Sequence, residues 1–227
     1  MLSNKDIRKE ILKNNLIIHP LNMNHIKGST INLTASKFAW NISNKKSATC
    51  KNKDTIQIPP GKTVCILTEE SIAISHKIAG TFHSRVSFVT KGLATYATTL
   101  DPEWFGYPLI SVTNHSDEKK YIEVGESFVS LILYYLKKPA TKGSKESNSL
   151  RYDLIKDFED QKEQKELKEL QKQSYRSLLN KAKKDPDYEE LYNEKPLSLK
   201  RMNLISKHPL ISVFIAFILG LLAARVF

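Results

Sequence analysis

Apolar positions fall into distinct patterns along this chain of 227 residues. Near the start, Ile7, Ile11 and Leu12 recur at helical spacing, and Ser3 followed by Asp6 forms a capping signal ahead of them. A first helix is predicted there, closed off before Pro20. From 26 to 136 the chain reads instead as short strands, at 29–35, 55–58, 62–68, 77–83, 109–113, 120–124 and 127–136. Turn signals separate them: Pro59-Pro60-Gly61, Asp101-Pro102, the polar run at 114–117 and Val124-Gly125. Many short strands at this spacing predict a mainly β fold, a sandwich or a distorted barrel.

The pattern changes after Pro139. A polar loop at 141–148 leads into 153–185, where Lys and Glu alternate densely around sparse apolar positions such as Leu154, Phe158, Leu167, Leu170, Leu178 and Leu179. No Gly or Pro interrupts this stretch until Pro186, so a charged helix is predicted, a spacer or loose coiled coil that buries no wide face. The final run, PLISVFIAFILGLLAARVF at 209–227, has 19 residues and one charge, Arg225. A helix rising about 1.5 Å per residue would span about 28 Å of hydrocarbon. Lys200, Arg201 and Lys207 precede it, which by the positive-inside rule places the rest of the chain in the cytoplasm. The expected division is a β domain at 1–140, a charged helical linker at 141–207 and a single-pass transmembrane tail anchor at 208–227.

Composition narrows the picture. Hydrophobic residues make 41% and charged residues 26%, which excludes wholesale disorder. Two cysteines, Cys50 and Cys65, build neither a disulfide framework nor a four-cysteine zinc site, and read as reduced buried thiols. The net charge of +11 suits nucleic acid, an anionic membrane surface or a polyphosphate ligand. No arginine-rich tract, zinc-finger spacing or RNA-binding aromatic motif is present, so nucleic acid is not the expected partner. His83 has no second His or Cys at ligand spacing, which makes it a strand-end histidine and leaves no metal site of the chain's own.

Candidate chemistry concentrates in one block. Arg85, Ser87, Thr90 and Lys91 lie within seven residues and end at Gly92. Arg offers a forked donor to phosphate oxygens, the hydroxyls offer further donors, and Lys adds a point charge. A glycine turn lets backbone N–H groups approach a polyanion.

The run RVSFVTKGL at 85–93, followed by LDPEWFG at 100–106, resembles the paired motifs of the dCTP deaminase/dUTPase family, in its deaminase-like branch. Four further blocks match in order: MLSNKDIR at 1–8, IKGSTINL at 26–33, PGKTVCILTEE at 60–70 and VGESFVSL at 124–131. The resemblance implies a dUTPase-like distorted barrel, a homotrimer, and a deoxynucleoside triphosphate held with Mg2+ at subunit interfaces. It implies that Arg85 and Ser87 hold phosphates, while Thr90 and Lys91 are candidates from the chemistry of the same turn. Ala97, Thr98, Thr99 and Asp101 would line the nucleoside pocket.

Three positions depart from the family's pattern. The deaminases carry a proton-shuttling glutamate on the strand after the Asp-Pro turn, and that position here is Ser111. A serine without a base partner does not shuttle protons at neutral pH. Val86 replaces a small residue, and Asn32 replaces the first-motif aspartate. The sequence therefore reads as a membrane-anchored, deamination-deficient binder of a deoxynucleoside triphosphate, a pseudoenzyme working as sensor or scaffold in nucleotide metabolism. The alternative is an active dCTP deaminase, or a pyrophosphohydrolase of dUTP or another deoxynucleoside triphosphate in which Asp101 orients the attacking water.

Overall fold

A computed structural model describes residues 1–50, 54–96, 98–141 and 161–194, with only the backbone for 161–163. Helix α1 spans Asn4–Leu12 and starts as its capping signal requires. The Asp6 N–H donates to Ser3 Oγ at 3.2 Å, and the Ser3 N–H donates back to the Asp6 carboxylate at 3.0 Å. Ile7, Ile11 and Leu12 form its buried side.

Thirteen strands follow among the described residues: β1 Leu16–His19, β2 Ile31–Asn41, β3 Thr49–Cys50, β4 Thr55–Ile58, β5 Thr63–Thr68, β6 Ser71–Ile74, β7 Ile78–Ser84, β8 Leu93–Thr95, β9 Thr99–Leu100, β10 Phe105–Gly106, β11 Leu109–Asn114, β12 Lys120–Glu123 and β13 Ser127–Tyr135. A single-turn helix, α2 (Val86–Val89), lies between β7 and β8. The mainly β expectation holds, and every strand read from the sequence is present within a few residues of its expected limits, except that β2 runs on to Asn41.

A seven-stranded sheet in the order β8-β11-β5-β2-β13-β7-β9 carries the fold, flanked by three-stranded sheets β1-β6-β10 and β12-β4-β3. Strand β2 makes it curl. Its first half pairs with β13 and its second with β5, and the register shifts between Ala35 and Ala39. Ser36 marks this bulge, its Oγ accepting the Phe38 N–H at 3.1 Å. Leu33, Ile66, Phe128 and Leu131 are fully buried, and so is Trp40, on the opposite face of the sheet from Ile66.

The described part of the charged segment differs from a spacer. It forms α3 (Gln161–Gln171) and α4 (Tyr175–Ala182), which lie on the β structure. Leu167 packs into a cluster with Phe38, Trp40 and Leu67, and Leu178 and Ala182 pack against Ile17 and Ala73. Burying a leucine stabilises by about 1.5–3 kcal/mol, so a few leucines dock a helix whose other faces stay charged. Past α4, the Asp185 carboxylate lies 2.9 Å from His19 Nδ1 and accepts the Leu21 N–H at 3.0 Å, while Asp187 accepts the Met23 N–H at 2.5 Å.

The chain divides into compact units at Met1–Tyr188 and Glu189–Phe227. Helix α5 (Pro186–Asn193) crosses that limit in sequence. The expected tail anchor at 208–227 lies outside the described residues. Among the described residues, no helix is long and apolar enough to cross a membrane.

Candidate functional site

Arg85 stands where β7 ends. Just before it, the Ser84 hydroxyl accepts the Thr95 N–H at 2.7 Å and lies 2.6 Å from Thr95 Oγ1, tying β7 to β8. The chain then makes one helical turn through α2 and reverses at Gly92. There φ is +79°, and a Cβ would meet Ser116 Cβ at 3.0 Å, so the turn requires glycine on both counts.

The four side chains of this turn are not equivalent. Arg85 is half-buried, and its Nη1 donates to the Ser127 carbonyl, leaving further donors of the guanidinium fork for a ligand. Ser87 is exposed. Thr90 is exposed as well, but its hydroxyl donates to the Val86 carbonyl at 3.1 Å within the helix. Lys91 Nζ sits 5.8 Å from the centre of the Phe88 ring. Sequence reasoning missed two neighbours: burial first, then the charges of Lys27 and Arg85, hold the His25 imidazole below its ordinary range. Lys27 and Arg85 are thus both near enough for their charges to act on His25. The only signal for them is that Ile26, Lys27 and Gly28 open the matching block at 26–33.

The residues expected at the nucleoside are placed by β9. Thr99 pairs with Thr81, Leu100 pairs with Gly80, and the Thr98 carbonyl accepts the Phe82 N–H at 3.0 Å. On its other side Gly80 pairs with Leu133 of β13, where a Cβ would meet the Ile132 carbonyl at 2.9 Å. Thr98 and Thr99 are exposed on the Arg85 side of β9, whereas Ala97 lies outside the described residues. Asp101 follows Leu100 and so stands level with Ala79, six residues before Arg85 on β7. At about 3.3 Å per residue the two are separated by roughly 20 Å along the strand. Within one chain, Arg85 and Asp101 therefore do not reach the same phosphate group.

Asp101 is exposed and opens a tight turn in which the Trp104 N–H donates to its carbonyl at 3.2 Å. The turn ends in β10, which pairs with β6. Phe105 is a core aromatic, packed against the cluster of Ile17, Ala73, Leu178 and Ala182. Ser111 lies opposite Cys65 in the β11–β5 ladder, with Oγ 3.4 Å from Sγ. Along β11 and across β5, the residues beside it on that face are Leu109, Thr113, Thr63 and Leu67, none with a carboxyl. Burial pushes the Cys65 thiol up, so it supplies no base to the serine. Both cysteines are free, and both are half-buried rather than fully buried.

His83 is exposed, with Nε2 2.8 Å from Thr81 Oγ1. Among the described residues, no three His, Cys, Asp or Glu side chains gather as a metal site. A magnesium ion asks less of a protein, since it binds substrate phosphates with one or two carboxylates. The exposed Asp101 carboxylate and the basic turn at Arg85 suit such an ion only where two copies bring them together.

Residues 1–136 match the family model described as dCTP deaminase-like. The dCTP deaminase of Thermococcus sibiricus is 28% identical over 140 residues, covering 62% of this chain and 85% of that protein. A probable deoxyuridine 5'-triphosphate nucleotidohydrolase of Sulfolobus islandicus rod-shaped virus 1 is 28% identical over 142 residues, covering 63% and 88%. Among solved structures, the 2'-deoxycytidine 5'-triphosphate deaminase from Agrobacterium tumefaciens aligns with a TM-score of 0.49 at 10% identity, over 58% of this chain and 47% of that one. With its opening helix, curled sheet and Arg85–Gly106 motifs all inside the matched 136 residues, the chain belongs to the dCTP deaminase-like family.

Proposed function

We propose that this protein binds a deoxynucleoside triphosphate as its magnesium complex, at interfaces between the copies of a homotrimer, and does not deaminate it. It would act as a sensor or scaffold in nucleotide metabolism. Ser111 carries the proposal: where the family's deaminases have a proton-shuttling glutamate, this chain has a half-buried serine whose neighbour is a thiol. Deamination needs a group that gives and takes a proton at the ring, and losing it typically costs about 10²–10⁴-fold in rate.

The separation of Arg85 from Asp101 along β7 supports an interface site. Arg85 and Ser87 of one copy would hold the phosphates, aided by Lys27 and Lys91. The Asp101 turn of a neighbouring copy, with Thr98 and Thr99, would meet the nucleoside end. In this reading 1–140 is the nucleotide domain, 141–207 the helical linker and 208–227 the membrane anchor, with the domain in the cytoplasm. The anchor rests on the apolar run at 209–227 and the basic residues before it.

A hydrolytic reading is favoured by one observation. The Asp101 carboxylate is exposed and able to orient a water, and one relative is named a probable deoxyuridine triphosphate nucleotidohydrolase. The relatives named dCTP deaminase favour retained deamination instead.

The test is to incubate the full-length protein with each deoxynucleoside triphosphate and Mg2+, and to measure binding, ammonia and pyrophosphate together. Binding with neither product is expected. Ammonia from dCTP sinks the deamination-deficient reading, and pyrophosphate release moves the function to hydrolysis. Alkaline extraction of membranes carrying the full chain tests the anchor, and release into the supernatant overturns it.

A further inference from the structure

The docked helix α4 touches the turn that carries Asp101. Ser174 caps α4, its Oγ accepting the Ser177 N–H at 3.2 Å, and this sets Tyr175 at the first helical position. From there the Tyr175 ring meets Phe105 edge-on, with centroids 6.3 Å apart and planes at 86°. One turn further along, Leu178 joins the cluster against which Phe105 packs. At its far end the helix is pinned by Asp185 to His19 and Leu21.

Phe105 belongs to the shortest kind of strand. β10 has two ladder positions, Phe105 with Ala73 and Gly106 with Ile72, and a ladder that short is weak by itself. The turn before it contains Glu103 at φ +60°, a left-handed conformation that a side chain adopts at a cost. The 101–106 turn therefore depends on what packs against Phe105.

We infer that Tyr175 is a positioning residue for the candidate site, acting through Phe105 to hold the Asp101 turn in place. The C-terminal helices then complete the nucleoside side of the site while leaving the Arg85 side to the β structure alone. The structural half of this inference stands on the contacts; its consequence for binding rests on the nucleotide reading above.

The experiment uses full-length protein, Tyr175→Ala and Tyr175→Phe, with the same three measurements on each. These are amide hydrogen exchange at Trp104 and Ile74, affinity for a deoxynucleoside triphosphate with Mg2+, and affinity for inorganic tripolyphosphate. In Tyr175→Ala, exchange at both amides should rise about three- to tenfold, as expected for a lost aromatic pair, and nucleotide affinity should fall by a similar factor. Tripolyphosphate affinity should stay within about twofold, and Tyr175→Phe should behave as the native chain. Tyr175→Leu replaces the alanine variant if that one does not fold. Unchanged exchange at both amides overturns the inference. Equal losses for nucleotide and tripolyphosphate overturn its assignment to the nucleoside side. If the native chain binds no nucleotide, the functional reading has failed, and exchange alone decides the role of Tyr175.

Discussion

The Glu70 carboxylate accepts both the backbone N–H and the hydroxyl of Thr34, each at 2.9 Å. Thr34 is the last residue of β2 before it leaves β13 for β5, and Glu70 sits in the turn between β5 and β6. One carboxylate thus braces the corner of the curled sheet. Burial pushes Glu70 up to about 7 from an ordinary 4.5, outweighing the opposite pull of the Thr34 hydrogen bonds.

The sign of the pH effect follows. An acid whose pKa is raised on folding contributes stability while protonated, fully below about pH 4.5, and loses it as pH rises to about 7. Between pH 5 and 8, native protein should lose about 2–3 kcal/mol more than Glu70→Gln, which does not titrate. Urea unfolding of both at the two pH values measures the difference. Parallel pH profiles would mean that Glu70 ionises in the folded state as it does in the unfolded chain.

Arg85 has one structural task, its bond to the Ser127 carbonyl, and a second under the nucleotide reading, so its substitution tests both. Under the nucleotide reading, Arg85→Ala should weaken triphosphate binding by about 1.5–3 kcal/mol, and Ser87→Ala by about 1 kcal/mol. Arg85→Ala should also lower the melting temperature, because the guanidinium ties the start of α2 to the Ser127 carbonyl at the start of β13. Ser87→Ala should leave melting unchanged, since Ser87 is exposed. Calorimetric titration and thermal unfolding check the pair. Intact affinity in folded Arg85→Ala would reduce Arg85 to its structural tie.

Leu178 is fully buried against Ile17 and Ala73. Truncation to alanine should cost about 2–5 kcal/mol, the usual range for a buried leucine. Urea unfolding of full-length protein measures it. A change below about 0.5 kcal/mol, the level of a surface substitution, would mean that α4 does not stay docked in solution.

Much of the fold was legible because its signals are local. Ser3 and Asp6 cap α1 within three residues of each other, and the alternation of β5, β11 and β13 follows directly from one buried face. The family motifs were legible for the same reason, since Arg85 to Leu93 and Leu100 to Gly106 are contiguous runs. The two-residue strands β9 and β10 were not, because two residues carry no period. Glu70 gave no signal either: it is one of two adjacent acids, and only the bend of β2 decides which is buried.

Sequence alone determined the mainly β class, the first helix, the order of the motif blocks and the absence of a carboxyl at Ser111. Tertiary structure decided how those pieces stand to one another. The β7–β9 register separates Asp101 from Arg85, although sequence places them only sixteen residues apart. The charged segment read as a spacer because Leu167 and Leu178 are sparse, yet each meets an apolar patch already assembled by distant strands. A helix's own pattern reports how much apolar surface it offers, not whether a matching surface waits elsewhere. His19 and Asp185, 166 residues apart, meet for that reason: the hydrophobic contacts bring the segments together, and the hydrogen bonds form where the packing leaves their groups in register.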